Sequence, residues 1–97
     1  MSLYVSLLNF TDQGISKIRN SPERLDRVKA ELQEMGGDFK HFFLTMGQYD
    51  AVLIYEAPDD AISARFQLLL GAKGNVRSKT MKAFPEEAYR RIIASLP

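Results

Sequence analysis

The sequence predicts an α+β fold in which four strands and two helices follow one another as β-α-β-β-α-β, with a further helix at the end. Two observations predict it. Apolar stretches of strand length alternate with segments whose apolar residues recur every three or four positions, as they do on one side of a helix. The first two helical segments also each begin near a proline and end near a glycine, the residues that favour those two positions. The same pattern therefore occurs twice in one chain.

The first half of the chain contains the first strand and the first helix. The strand is predicted over Leu3–Asn9, and a polar connection with a single helical turn follows over residues 10–20. The helix begins at Ser21-Pro22, where the serine is expected to cap free backbone N–H groups and the proline lacks an N–H in any case. Gly36-Gly37 ends it, because glycine readily adopts the left-handed conformation that follows many helices.

The second half repeats the pattern and adds a helix. Gly47 supplies the freedom of backbone rotation that a short turn between two strands requires. The predicted elements are a strand over Phe39–Thr45, a turn over Met46–Gln48, a strand over Tyr49–Glu56, a helix from Pro58-Asp59-Asp60 to Gly71 and Gly74, a strand over Asn75–Ala83 and a helix from Pro85.

This order of elements predicts a specific architecture. Two right-handed β-α-β units joined by a hairpin form a four-stranded antiparallel sheet with both helices on one face, the ferredoxin-like arrangement. The 97 residues suffice for one domain, residues 1–97, with a modest core. The other face of the sheet then has no helix to cover it.

The side chains on that uncovered face follow from the alternation along each strand. The purely aliphatic sets are expected to face the helices. The uncovered face then carries a mixed aromatic set, with Arg77 and Lys79 towards an edge: Tyr4, Leu8, His41, Phe43, Leu53, Tyr55 and Met81. An apolar patch of this size usually marks an interface or a groove. The sequence therefore predicts that the chain pairs with itself as a homodimer or higher oligomer.

Composition excludes several other classes of function. A net charge of +1 gives no long-range field for nucleic acid or for an anionic membrane surface. No apolar run approaches the roughly 18 residues that a membrane span needs. The absence of cysteine excludes a thiolate metal site and fits a reducing cytoplasm. We expect no metal, no cofactor, no nucleic-acid partner and no membrane partner.

Several motifs, in order along the chain, resemble the GYD domain family. The family takes its name from the turn Gly47-Gln48-Tyr49-Asp50. The other matching motifs are Ser21-Pro22-Glu23-Arg24, Gly36-Gly37, Glu56-Ala57-Pro58-Asp59-Asp60 and the run from Gly74 to Phe84. The family is similar to the dimeric α/β-barrel group of ferredoxin-like proteins. The resemblance implies a fold and an assembly rather than an activity.

A ligand site, if present, is predicted on the uncovered sheet face. His41 and Tyr55 would be its polar anchors, with Tyr4 beside them in a polar cluster, and Phe43 and Leu53 would form the apolar wall. Arg77 would bind a carboxylate at the edge. The alternative for His41 is a packed or rim histidine. For the family motif of Gly47, Tyr49 and Asp50 we favour a structural role, in which the Asp50 carboxylate bonds backbone N–H groups.

Three functions are compatible with these residues. The first is a homo-oligomeric protein that binds a small molecule at the uncovered sheet face or at the subunit interface. The second is a cofactor-free enzyme of the dimeric α/β-barrel class, an isomerase or monooxygenase, which needs only His41, Tyr55 or Asp50 beside an apolar cavity. The third is a structural assembly module. The sequence leaves open whether the chain catalyses a reaction.

Overall fold

The computed structural model describes residues 1–97 and contains one antiparallel sheet with strand order β2-β3-β1-β4. The predicted β-α-β-β-α-β order with a terminal helix is confirmed. The elements are β1 (Ser2–Phe10), α1 (Asp12–Ser16), a 3-10 turn (Ile18–Asn20), α2 (Ser21–Glu34), β2 (Asp38–Leu44), β3 (Ala51–Ala57), α3 (Asp60–Ala72), β4 (Val76–Ala83) and α4 (Glu86–Ala94). Helices α2 and α3 cover one face of the sheet.

The connection between β1 and α2 is more ordered than the single turn that was predicted. Thr11 caps α1 by accepting a hydrogen bond from the N–H of Gly14 at 3.1 Å. The 3-10 turn then leads directly into α2, so Asn20 precedes the helix and makes no side-chain cap bond. The predicted capping role of Ser21 is therefore wrong, because the chain is already turning helically before Ser21.

The glycine and aspartate signals at the other helix ends are largely confirmed. After α2, Gly36 has a φ of 85° and the N–H of Gly37 donates to the carbonyl of Leu32 at 2.9 Å. Asp59 caps α3 by accepting from the N–H of Ile62 at 2.9 Å. Gly74 follows α3 with a φ of 78°. Gly71 instead lies inside α3, which continues to Ala72.

The hairpin between β2 and β3 is longer than predicted. β2 ends at Leu44 and β3 begins at Ala51, two residues later than Tyr49. Gly47 adopts a φ of 125°, as the turn requires. The N–H of Thr45 donates to the carbonyl of Asp50 at 2.9 Å and closes the loop.

The core lies between the sheet and helices α2 and α3. Of the 97 residues, 12 are buried, so this chain buries little by itself. Nine of the twelve are apolar: Tyr4, Leu8, Leu32, Ala51, Leu53, Tyr55, Ala57, Phe66 and Leu70. Each of these belongs to β1, β3, α2 or α3, and α4 contributes none.

Candidate functional site

The face of the sheet that α2 and α3 leave uncovered is the main candidate surface, and we call it the open face. Residues directly opposite each other in antiparallel strands share a face. Val5 lies opposite Ile54 on β3 and Met81 on β4, and Leu7 lies opposite Val52 and Lys79. The open face is therefore aliphatic at its centre: Leu3, Val5, Leu7, Val52 and Ile54, all of them partly exposed.

The predicted faces of β1 and β3 are wrong, because the aromatic set is the buried one. Tyr4, Leu53 and Tyr55 expose 4%, 2% and 0% of their surfaces and point towards the helices, as Leu8 does. Aromatic residues with hydroxyl groups are buried where the hydroxyl finds a partner. The hydroxyl of Tyr55 lies 2.6 Å from Ser63 on α3, and that of Tyr4 donates to Asp60 at 2.6 Å.

The faces predicted for β2 and β4 are confirmed. His41 and Phe43 lie opposite Ile54 and Val52 on the open face. Arg77, Lys79 and Met81 lie opposite Asn9, Leu7 and Val5 there. β2 keeps this orientation because its register shifts between Phe39 and His41, so that Phe39 faces the helices and His41 faces away.

The structure does not bring the predicted ligand-site residues together. His41 and Phe43 stack with ring centroids 5.9 Å apart on the open face, whereas Tyr55 lies on the opposite side of the sheet. Arg77 shares the open face but belongs to β4, the far edge strand from β2. Three strand spacings of about 4.8 Å separate those edges by roughly 14 Å. A pocket with His41 and Tyr55 as joint anchors is therefore not present.

A polar network on the helix side, which the sequence analysis missed, fixes α3 to the sheet. The side-chain amide of Gln67 donates to Tyr55 at 2.8 Å and to Ser6 at 2.9 Å, and its oxygen accepts from Ser78 at 2.8 Å. Ser6 also lies 2.7 Å from the hydroxyl of Thr80. The available signal was a set of small hydroxyl residues on one side of adjacent strands: Ser6 in β1, and Ser78 and Thr80 in β4. Fully bonded, such a network specifies one packing arrangement.

A second polar cluster joins the start of α3 to the sheet edge and shifts two pKa values. Burial, together with the hydrogen bond to the Asp60 carboxylate, raises the pKa of Tyr4 to about 12. The hydrogen bond from Tyr4 and the ion pair with Lys82, at 3.0 Å, lower the pKa of Asp60. The folded protein therefore favours a neutral tyrosine beside a charged carboxylate.

These shifts predict an alkaline loss of stability that depends on Tyr4. Because the pKa of Tyr4 is higher in the folded than in the unfolded chain, its contribution is complete below pH 10 and is lost as the pH rises towards about 12. The difference in free energy of unfolding between the wild type and Tyr4→Phe should therefore be constant up to about pH 9 and shrink by about pH 11. Urea unfolding at each pH measures it. A difference that stays constant to about pH 11 would contradict this assignment.

The Gly-x-Tyr-Asp turn makes the backbone bonds expected of a structural motif. The Asp50 carboxylate accepts from the N–H of Phe10 at 2.9 Å, and the N–H of Asp50 donates to the carbonyl of Leu8 at 2.8 Å. Tyr49 lies beneath the Lys79 ammonium group, which is 5.9 Å from its ring centroid. These contacts attach the hairpin to β1 and β4.

Helix α4 carries a second uncovered apolar surface, which we call the α4 stripe. It comprises three residues of the helix, Tyr89, Ile92 and Ile93, and Leu96 just beyond the end of the helix. The four expose between 45% and 63% of their surfaces. The helix buries none of its nine residues. A helix this short is marginal in water without packing of its apolar side.

No helix of the structure has both the length and the apolar character needed to cross a membrane.

These features define a ferredoxin-like α+β protein with one helix-free sheet face. The chain belongs to the GYD domain family, whose sequence model matches residues 4–93. It is 34% identical over 86 residues to the "Glutamine synthetase and cystathionine beta-lyase binding protein" of Thermus thermophilus. The alignment covers 88% of this chain and 90% of that relative. No solved structure matches the chain. The family predicted from the motifs is confirmed.

Proposed function

We propose that this chain is a homodimeric protein-binding module whose two copies join through the open face. The observation that carries the proposal is the aliphatic centre of that face. A sheet face in contact with water is normally polar, yet Leu3, Val5, Leu7, Val52 and Ile54 are contiguous here. Phe43 and Met81 extend the patch towards the two edges and expose 52% and 51% of their surfaces.

The size and shape of the single chain support the same proposal. Its accessible surface is 6656 Å², whereas a compact monomer of 11.0 kDa is expected to expose about 5,600 Å². Its radius of gyration is 14.7 Å, against about 12.5 Å expected for a compact domain of this length. The excess surface resembles the roughly 800 Å² that each partner buries in a standard interface.

The α4 stripe gives the second half of the interface. One chain carries two apolar surfaces that its own core does not cover, and a two-fold axis would let each copy cover both for the other. In this arrangement α4 of one copy packs on its partner. Both parts of the proposal assume the cytoplasmic setting that the sequence analysis predicts.

The protein-binding part of the proposal is supported by the Thermus thermophilus relative. Its name describes a protein that binds glutamine synthetase and cystathionine beta-lyase. Our chain aligns with it over nearly the full length of both, so a corresponding partner for this chain is an enzyme of one of these two kinds. A dimer presents any such binding surface twice, which raises the effective concentration of the second site once the first is bound.

The test is a titration of the labelled chain with each purified enzyme from the same source organism. Saturable binding to either enzyme is expected, and an unrelated oligomeric enzyme of similar charge serves as the control. Failure of both enzymes to bind would contradict the protein-binding part. A wild type that is monomeric alone but binds an enzyme would contradict the homodimer and leave the protein-binding part standing.

A further inference from the structure

A cavity lies on the helix side of the sheet, opposite the open face. It has a volume of about 330 Å³, and 11 of its 16 lining residues are hydrophobic. Leu25 and Val28 of α2 form one wall, and Leu70 of α3 forms the other. Ala51 and Leu53 of β3 lie on its floor. The size is within the range of small-molecule sites in proteins, and the composition is typical of them.

The cavity exists because the two ends of the helix–sheet layer are filled differently. At one end Tyr55 stacks on Tyr4, at a centroid separation of 5.3 Å, and meets Phe66 edge-on at 5.0 Å. At the other end the central floor position is Ala51, which lies between Leu8 and Leu44 in the sheet. An alanine there leaves the space that an aromatic ring occupies at the first end.

The charged lining residues of this cavity are both cations. Arg24 and Lys73 line it, and no acidic residue does. Arg24 donates to the carbonyl of Lys17 at 2.7 Å and more weakly to that of Gly14 at 3.4 Å, which positions its guanidinium group. Arginine has five N–H donors, so others remain for a ligand. Lys73 is ion-paired with Glu31, which is not a lining residue.

We propose that this cavity binds a small amphipathic carboxylate, with its apolar body among Leu25, Val28 and Leu70 and its carboxylate at Arg24. A water molecule occupies about 30 Å³, so the cavity holds a body of roughly ten heavy atoms. A guanidinium group recognises a carboxylate with paired, charge-assisted hydrogen bonds. The site lies on the opposite side of the sheet from the open face, so it does not rest on the proposed homodimer.

The apolar part of the proposal is tested with octanoate, titrated into the isotope-labelled chain and followed by amide NMR shifts. Saturable shifts are expected around Leu25, Val28 and Leu70, with a dissociation constant between roughly 10 μM and 1 mM. Val28→Phe fills the cavity and should weaken binding at least about tenfold. Leu25→Phe, one turn earlier in α2, also fills the cavity and replaces Val28→Phe if that variant does not fold. Leu68→Phe, at a position that is 74% exposed on α3, is the matched control.

The charged part is tested by comparing octanoate with 1-octanol. Arg24→Gln should weaken octanoate binding at least about fivefold and leave 1-octanol binding unchanged. Arg27→Gln, an equal loss of charge at an exposed position of the same helix, should change neither. The proposal is overturned by the absence of saturation up to about 2 mM, by shifts confined to the open face, by unchanged binding in a folded cavity-filled variant, or by equal loss of both ligands in Arg24→Gln.

Discussion

Ile54→Asp is expected to convert the proposed homodimer to a folded monomer. Ile54 lies at the centre of the open face, opposite Val5, and is partly exposed in the single chain. An aspartate there is in water in the monomer but would be buried in the interface of the proposed dimer. A buried charge without a partner costs about 3–5 kcal/mol, and the interface would contain two. Self-association should therefore weaken at least about 1,000-fold.

Light scattering on a size-exclusion column measures the mass of this variant, and far-UV circular dichroism checks its fold. The control is Leu68→Asp, the same kind of charge at a position of α3 that is 74% exposed. That variant should remain dimeric. A folded Ile54→Asp variant that keeps the wild-type mass at micromolar concentration would exclude the open face as the interface.

Tyr55→Asp, one residue further along β3, should instead unfold the chain. Tyr55 is fully buried and packs against Tyr4 and Phe66. Loss of a buried ring costs about 3–5 kcal/mol, and burial of the new carboxylate adds to that. A domain of this size has a free energy of unfolding of only about 5–15 kcal/mol. The neighbouring substitutions thus have different consequences, because successive residues of a strand face opposite sides of the sheet.

Tyr55→Phe separates the ring of Tyr55 from its hydroxyl group. It keeps the packing but leaves Ser63 and Gln67 without the oxygen atom that they contact at 2.6 and 2.8 Å. The free energy of unfolding should fall by about 1–3 kcal/mol, measured by urea unfolding.

A Tyr55→Asp protein with wild-type circular dichroism and wild-type urea midpoint would show that Tyr55 is not a core residue.

The architecture was predictable because local signals mark its element boundaries. Gly36, Gly47 and Gly74 adopt the positive φ angles that the turns and helix ends require. Asp59 caps α3, as an acidic residue at a helix start suggests. Such signals act over a few residues, so a single sequence contains them. The start of α2 was less predictable because the preceding 3-10 turn leads directly into the helix, and no side-chain cap marks its first residue.

The faces of β1 and β3 were not predictable by the same means. Both alternating sets in these strands are largely apolar, so hydrophobicity alone does not distinguish the side that meets the helices. The deciding contacts are between distant residues: Tyr4 with Asp60 across 56 positions, and Gln67 with Ser6 across 61. His41 and Phe43 were placed on the correct face, but Tyr55 was assigned to the wrong one. The predicted ligand site required His41 and Tyr55 to share a face.

The cavity between α2 and α3 also could not be predicted from the sequence. The apolar stripes of the helices predict that they cover the sheet, and they do. The remaining volume depends on how Ala51, Leu8 and Leu44 fit beneath them, which is a property of the packed structure. Arg24 and Lys73 lie far apart in sequence and converge at this cavity only in the fold.

Sedimentation velocity of the wild type at micromolar concentration shows whether two copies of the chain associate. The expected result is a single species of twice the 11.0 kDa chain mass that the Ile54→Asp substitution reduces to one chain. A wild type that sediments as a monomer of 11.0 kDa would contradict self-association through the open face.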